Sequence, residues 1–154
     1  MVDPKVTRML EYVASCDQPD KLRAIAKNAR AMNEDELFRA AKLKLFAILP
    51  AEEQGTLAHA VWQSIHALED ALSEERGKTI RLSRTRQKIG RVGERECVAD
   101  LVMGKESDGF KLLLERRMLH LSFEALALGF ADQFNAEVLV HARERLAAHS
   151  YVPQ

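Results

Sequence analysis

No Phe, Tyr or Trp occurs between Trp62 and Phe110, and the 154-residue chain has only two cysteines, four prolines and seven glycines. Each scarcity excludes something. Cys16 and Cys97 cannot build a disulfide framework, and neither has a second thiol close enough for a CxxC redox or zinc motif, so they read as a reduced, cytosolic pair. So few Gly and Pro do not punctuate a turn-rich β-sandwich. No run of about 18 apolar residues is present, and Met1 to Lys5 leads into an amphipathic segment, so neither export nor a membrane partner is expected. With 47% hydrophobic and 30% charged residues, disordered and collagen-like classes are excluded as well.

What is present favours helices: Ala, Leu, Glu, Arg and Lys dominate. Asp3 caps a first helix with Pro4 in its first turn, and Val6, Met9, Leu10 and Val13 follow at helical spacing to near Cys16. Asp17 and Pro19 start a second helix with Leu22, Ile25, Ala29 and Met32 on one stripe. Asn33 with Glu36 is an N-cap pattern for a third, lined by Leu37, Ala41, Leu45 and Ile48. Pro50 ends it and is placed to open a fourth, long helix with Leu57, Val61, Ile65, Leu68 and Leu72, ending near Gly77.

After a basic stretch, Ile89, Val92, Val98, Leu101 and Val102 repeat as in a helix loosened by Gly90 and Gly93 and stopped at Gly104. Ser107 caps a helix carrying Phe110, Leu113 and Leu114, and Ser122 a short one through Leu128. Asn135 caps the last, with Val138, Leu139, Ala142 and Leu146. Period-two alternation with hairpin turns is absent. The expected fold is therefore all-α, a single domain over 1–154 and a compact bundle of seven to eight helices in hairpins. Its expected parts are N-terminal hairpins at 1–76, a basic segment at 77–95 and C-terminal helices at 96–154. Within it, Pro19 to Pro50 resembles one tetratricopeptide-type helical hairpin over about a fifth of the chain. Phe38 stands near a small-residue position of that pattern, and no second copy follows at the same period, so the segment is read as a generic hairpin.

The formal net charge is zero, yet it conceals a strong asymmetry. Residues 1–75 carry net −4, residues 76–95 net +7 and residues 96–154 net −3. The middle segment holds Arg76, Lys78, Arg81, Arg84, Arg86, Lys88, Arg91 and Arg95 against Glu94 alone. Arg81, Arg84, Lys88, Arg91 and Arg95 step by three, four, three and four, which on a helix makes one stripe. Like charges at that spacing cost about 0.2–0.5 kcal/mol per pair, so the stripe calls for a counter-charge. That charge is either internal, from Glu69, Asp70, Glu74 and Glu75 upstream, or phosphate. Ser83, Thr85 and Gln87 add hydrogen-bonding groups, and Arg outnumbers Lys in the segment, as phosphate contacts favour.

The lack of aromatics across this region speaks against stacking on unpaired bases and for a duplex backbone. Arg84 to Val92, a bend at Gly93 and Glu94 to Met103 also suggest a helix-turn-helix. Its second helix is acidic at Glu94, Glu96 and Asp100, so the first is the expected contact helix. Weaker basic faces follow at Arg23, Lys27 and Arg30, and at Arg39, Lys42 and Lys44.

Other motifs fail on spacing. Gly77-Lys78-Thr79 imitates the end of a Walker loop, but the first required Gly falls at Leu72 and the segment follows a helix. Gly90 to Gly93 imitates a KH clamp without its strands. His59, Gln63, His66 and Asp70 line one helix face, but the two imidazoles stand about 10 Å apart along the axis, too far for one metal ion. Glu137 and His141 repeat this without an HExxH pattern. Cys97 reads as a buried small residue, and no GxSxG elbow exists. No cofactor or metal site is expected, and an enzyme is not favoured, since no carboxylate spacing marks a Mg²⁺ nuclease site.

Two functions follow. One is a helical protein that binds duplex DNA through its backbone, using Arg81, Ser83, Arg84, Thr85, Lys88, Arg91 and Arg95. The alternative is a protein-interaction module, an adaptor or homodimer, whose basic stripe is salt-bridged internally.

Overall fold

In a computed structural model, which describes residues 3–152, the chain is all-α. Among the described residues there are nine α-helices, two short 3₁₀ turns and no strand. The count exceeds the expected seven to eight because Gly93, at φ 87°, divides residues 83–103 into two helices. The chain divides into two compact units, Met1–Ala51 and Glu52–Gln154. That divide falls at residue 51, whereas the charge pattern draws its segment boundaries at 76 and 95.

The first unit contains α1 (Pro4–Ser15), α2 (Pro19–Ala31) and α3 (Asp35–Ile48). Asp3 caps α1 as its sequence position implies, its carboxylate accepting from the Lys5 N–H at 2.8 Å. Helix α3 packs against both α1 and α2, and Leu22, Ala26, Ala29, Leu37, Ala41 and Leu45 form the core with Val6, Val13 and Cys16. Asn33 does not cap α3. It adopts φ 57° and ends α2. The Glu34 N–H donates to Ala29 O and the Asn33 N–H to Arg30 O, the paired bonds of a Schellman motif, in which Asn tolerates the left-handed position. Helix α3 then begins after Glu34 with no side-chain cap.

The second unit contains α4 (Leu57–Arg76), α5 (Ser83–Val92), α6 (Glu94–Met103), α7 (Asp108–Glu115), α8 (Phe123–Gly129) and α9 (Ala136–Ala147). Pro50 does not open α4. The chain turns through Gly55 at φ 85°, a conformation L side chains rarely adopt, and Thr56 Oγ1 accepts from the His59 N–H at 3.2 Å to start the helix there. Gly77 ends it at φ 67°. Ser107, Ser122 and Asn135 cap α7, α8 and α9 as the sequence implies, accepting from the N–H groups of Phe110, Ala125 and Val138. The α4 stripe of Leu57, Val61 and Ile65 packs with Ile89, Cys97, Val98, Val102, Leu126, Val138 and Ala142 in one core.

Since Ile65 is 0% exposed and Met32 is 70% exposed, Ile65→Ala is expected to lower stability by about 2–5 kcal/mol. Met32→Ala is expected to change it by no more than about 0.5 kcal/mol. Urea unfolding followed by Trp62 fluorescence for the first variant, and by far-ultraviolet circular dichroism for both, checks these values.

Candidate nucleic-acid interface

After Gly77 the chain returns along α4 in an extended segment before α5 begins. Two residues of α4 hold it. Ser73 Oγ accepts from the Ile80 N–H at 2.8 Å. One turn earlier, Glu69 Oε2 accepts from the Leu82 N–H at 2.8 Å and from Arg86 Nε at 2.7 Å, while Oε1 accepts from Arg86 Nη2 at 2.7 Å. The guanidinium and carboxylate thus meet as two forks, the strongest common geometry for such a pair. The Arg86 guanidinium also lies 5.2 Å from the centroid of the Trp62 ring, and Trp62 Nε1 donates to Glu94 Oε1 at 3.4 Å.

Burial pushes the Glu69 carboxyl up, but the hydrogen bonds from Arg86 and the Leu82 N–H and the charges of Arg86 and His66 outweigh it. The group therefore titrates below its ordinary value of 4.5. The Glu69 hydrogen bond raises the Arg86 guanidinium further, against a smaller desolvation effect.

This clamp decides which face of α5 is left outward. Ile89, three residues after Arg86, is buried in the core. Arg84 and Arg91 lie on the opposite side at helical spacing and are exposed. Lys88 lies between them and pairs with Asp100 of α6 at 3.0 Å. Arg81 is exposed in the segment before α5. Among the described residues, Arg81, Arg84 and Arg91 have no ion-pair partner, and neither do the exposed Arg76 and Lys78 ahead of them.

The five-residue stripe from Arg81 to Arg95 is accordingly not one helix face. Helix α5 carries only Arg84, Lys88 and Arg91. Arg81 precedes it because Glu69 ties down the Leu82 N–H, and Arg95 belongs to α6 because Gly93 ends α5, its N–H donating to Ile89 O. Arg95 pairs with its neighbour Glu96 at 3.4 Å, both side chains more than half exposed, a geometry that contributes little. Ser83 is exposed at the start of α5, whereas Thr85 turns away from Arg84 and lines an apolar cleft with Leu82. One residue joins α5 to α6, shorter than the three or four of a helix-turn-helix.

Two of the four upstream acids answer other cations. Glu69 takes Arg86, which is outside the three-four register, and Glu74 takes Arg116 at 3.4 Å. In the first unit, Arg23 pairs with Asp20, Lys44 donates to Ala14 O, and Arg30 and Lys42 lie over the Phe38 ring. Sequence reasoning missed the role of Arg86. Its position two residues from both Arg84 and Lys88 was the available signal, since that offset places it on the inward side of α5.

Among the described residues no group of three or more His, Cys, Asp and Glu side chains is placed to hold a metal ion. Cys97 is buried. Desolvation raises its thiol pKa, Lys88 opposes this, and Asp100 and Glu94 add to the rise, so it stays protonated rather than nucleophilic.

Because the folded Glu69 carboxyl titrates below 4.5, its contribution is complete above that pH and is lost as pH falls through the folded value. Glu69→Gln is expected to lower stability by about 1–3 kcal/mol at neutral pH. The gap from the parent protein is expected to narrow below pH 4.5, as urea titrations at neutral and acid pH would record. In comparisons with protein-family models, curated proteins and solved structures, nothing matches this chain.

Proposed function

We infer that the second unit binds duplex nucleic acid through its phosphate backbone, with Arg81, Arg84 and Arg91 as the principal contacts and Arg76 and Lys78 beside them in the chain. The observation that carries this reading is the set of exposed guanidiniums without internal counter-charge, beside two cations, Arg86 and Lys88, that do have one. A structural role for the stripe would have acids facing Arg81, Arg84 and Arg91. The upstream acids Glu69 and Glu74 instead hold Arg86 and Arg116.

Three further features favour phosphate. Arg presents a planar fork suited to phosphate oxygens. Helix α5 has neither an acidic residue in its first turn nor a side-chain cap, so the positive end of its dipole adds to the field of Arg81 and Arg84. The outward face of α5 presents Ser83, Arg84, Gln87 and Arg91 and no aromatic ring, which suits a duplex backbone rather than stacked single-stranded bases. The alternative of an adaptor with a neutralised stripe draws on the Glu69–Arg86, Lys88–Asp100 and Arg95–Glu96 pairs, but these leave Arg81, Arg84 and Arg91 unanswered.

Neutralising three to five phosphates predicts a slope of log affinity against log salt of about −3 to −4.5 on random duplex DNA. Arg84→Glu combined with Arg91→Glu is expected to weaken binding at least about tenfold and to flatten the slope by about 2. Lys111→Glu, an exposed position on α7, is expected to bind as the parent does. Fluorescence anisotropy across a salt series measures all three. Binding indifferent to salt, or to the double charge reversal, would sink the reading.

A further inference from the structure

Behind α5, and apart from Arg81, Arg84 and Arg91, the second unit encloses a cleft of about 260 Å³. Its walls are chiefly apolar: Leu68 and Leu72 of α4, Leu101 of α6, Phe110 of α7 and Phe123 of α8. Gly109 brings the start of α7 against α4, for a Cβ at that position would stand 2.7 Å from Leu68 Cδ2. Small-molecule sites commonly enclose about 300–1,000 Å³, so this volume is near the lower end and suits a small ligand.

Five charged side chains line the same cleft: Arg76, Lys105 and Arg145 against Asp108 and Glu124. Arg145 Nη1 donates to Glu124 Oε2 at 2.7 Å, their side chains being 14% and 7% exposed, and Arg145 Nη2 donates to the Gly104 carbonyl. A guanidinium has five N–H donors, and these two bonds leave three with no protein acceptor. An ion pair this buried is expensive to desolvate and is weak evidence of a stabilising role. Asp108 occupies the first turn of α7, where the helix dipole supports its charge. Arg76 and Lys105 have no ion-pair partner among the described residues. Three cations against two anions leave one positive charge in excess along the cleft, with Arg76, Lys105 and Asp108 exposed and Arg145 and Glu124 largely buried.

We propose that this cleft binds a small monoanionic amphiphile, a carboxylate carried on a short apolar body. The apolar body fills the space between Leu72, Leu101 and Phe110, and the carboxylate is met by Lys105, Arg76 and the unused donors of Arg145. Shape and burial supply affinity, while the excess positive charge selects the anion over its neutral analogue.

The test is isothermal titration calorimetry of the full chain with sodium octanoate, and with 1-octanol as the neutral analogue. Octanoate is expected to bind saturably at one site with Kd of about 0.1–1 mM, and octanol at least about tenfold more weakly. Lys105→Glu is expected to weaken octanoate at least about fivefold and to leave octanol unchanged. Leu101→Trp, which plugs the cleft from a position 38% exposed, is expected to abolish both, with an unaltered circular dichroism spectrum. Absent or non-saturable octanoate binding overturns the proposal. So does equal affinity for octanol, or an octanoate affinity that Lys105→Glu does not change. Arg76 is common to both proposals, but Lys105 and Leu101 are outside the proposed nucleic-acid contacts and the titration contains no DNA, so either proposal can fail alone.

Discussion

One carboxylate organises the basic region. Glu69 accepts three N–H groups, one from the backbone of Leu82 and two from Arg86, and so sets both where α5 starts and how it is rotated. Helix α5 has little to stabilise it alone. It has ten residues and no side-chain cap, it contains Gly90, and isolated helices shorter than about 12–15 residues are marginal in water. Docking onto α4 through the Glu69–Arg86 fork and the burial of Ile89 supplies what local propensity does not. The Trp62 ring beneath the Arg86 guanidinium completes the seat.

The rotation imposed by that seat separates the cations of residues 76–95 by role. At 100° per residue, turning Arg86 and Ile89 inward turns Arg84, Lys88 and Arg91 outward. Asp100 on α6 removes one of these, Lys88, and in doing so ties the two helices together across Gly93. What remains outward is mutually repulsive and unbalanced by protein acids, an arrangement that costs folding free energy and gains from an external anion. The basic surface and the stability of α5 are thus linked through opposite sides of one short helix.

Behind α5, Leu82 and Thr85 form part of an apolar cleft whose polar edge is set by Arg145. That residue joins the end of α6, through the Gly104 carbonyl, to the first turn of α8, through Glu124. The same two bonds position a guanidinium with donors to spare where a small carboxylate would meet it.

Much of the helical organisation was legible because its causes are local. Asp3, Ser107, Ser122 and Asn135 cap helices at the places their spacing implies, and Leu57, Val61 and Ile65 are the buried stripe of α4. Asn33 and Pro50 misled for an equally local reason. Each residue has two competing roles: Asn both caps helix starts and accepts the left-handed turn that ends a helix, and Pro both stops helices and begins them. Hydrogen bonds from neighbouring residues decided which role applied.

The sequence by itself determined an all-α chain and a concentration of positive charge between residues 76 and 95, since helix periodicity and composition are properties of neighbours along the chain. Only the tertiary structure decided which of those charges stay unpaired. The deciding ion pairs join residues 17 positions apart for Glu69 and Arg86 and 12 for Lys88 and Asp100, while Glu74 is drawn off by Arg116, 42 positions away. Coulomb attraction between them depends on a separation that no local pattern encodes.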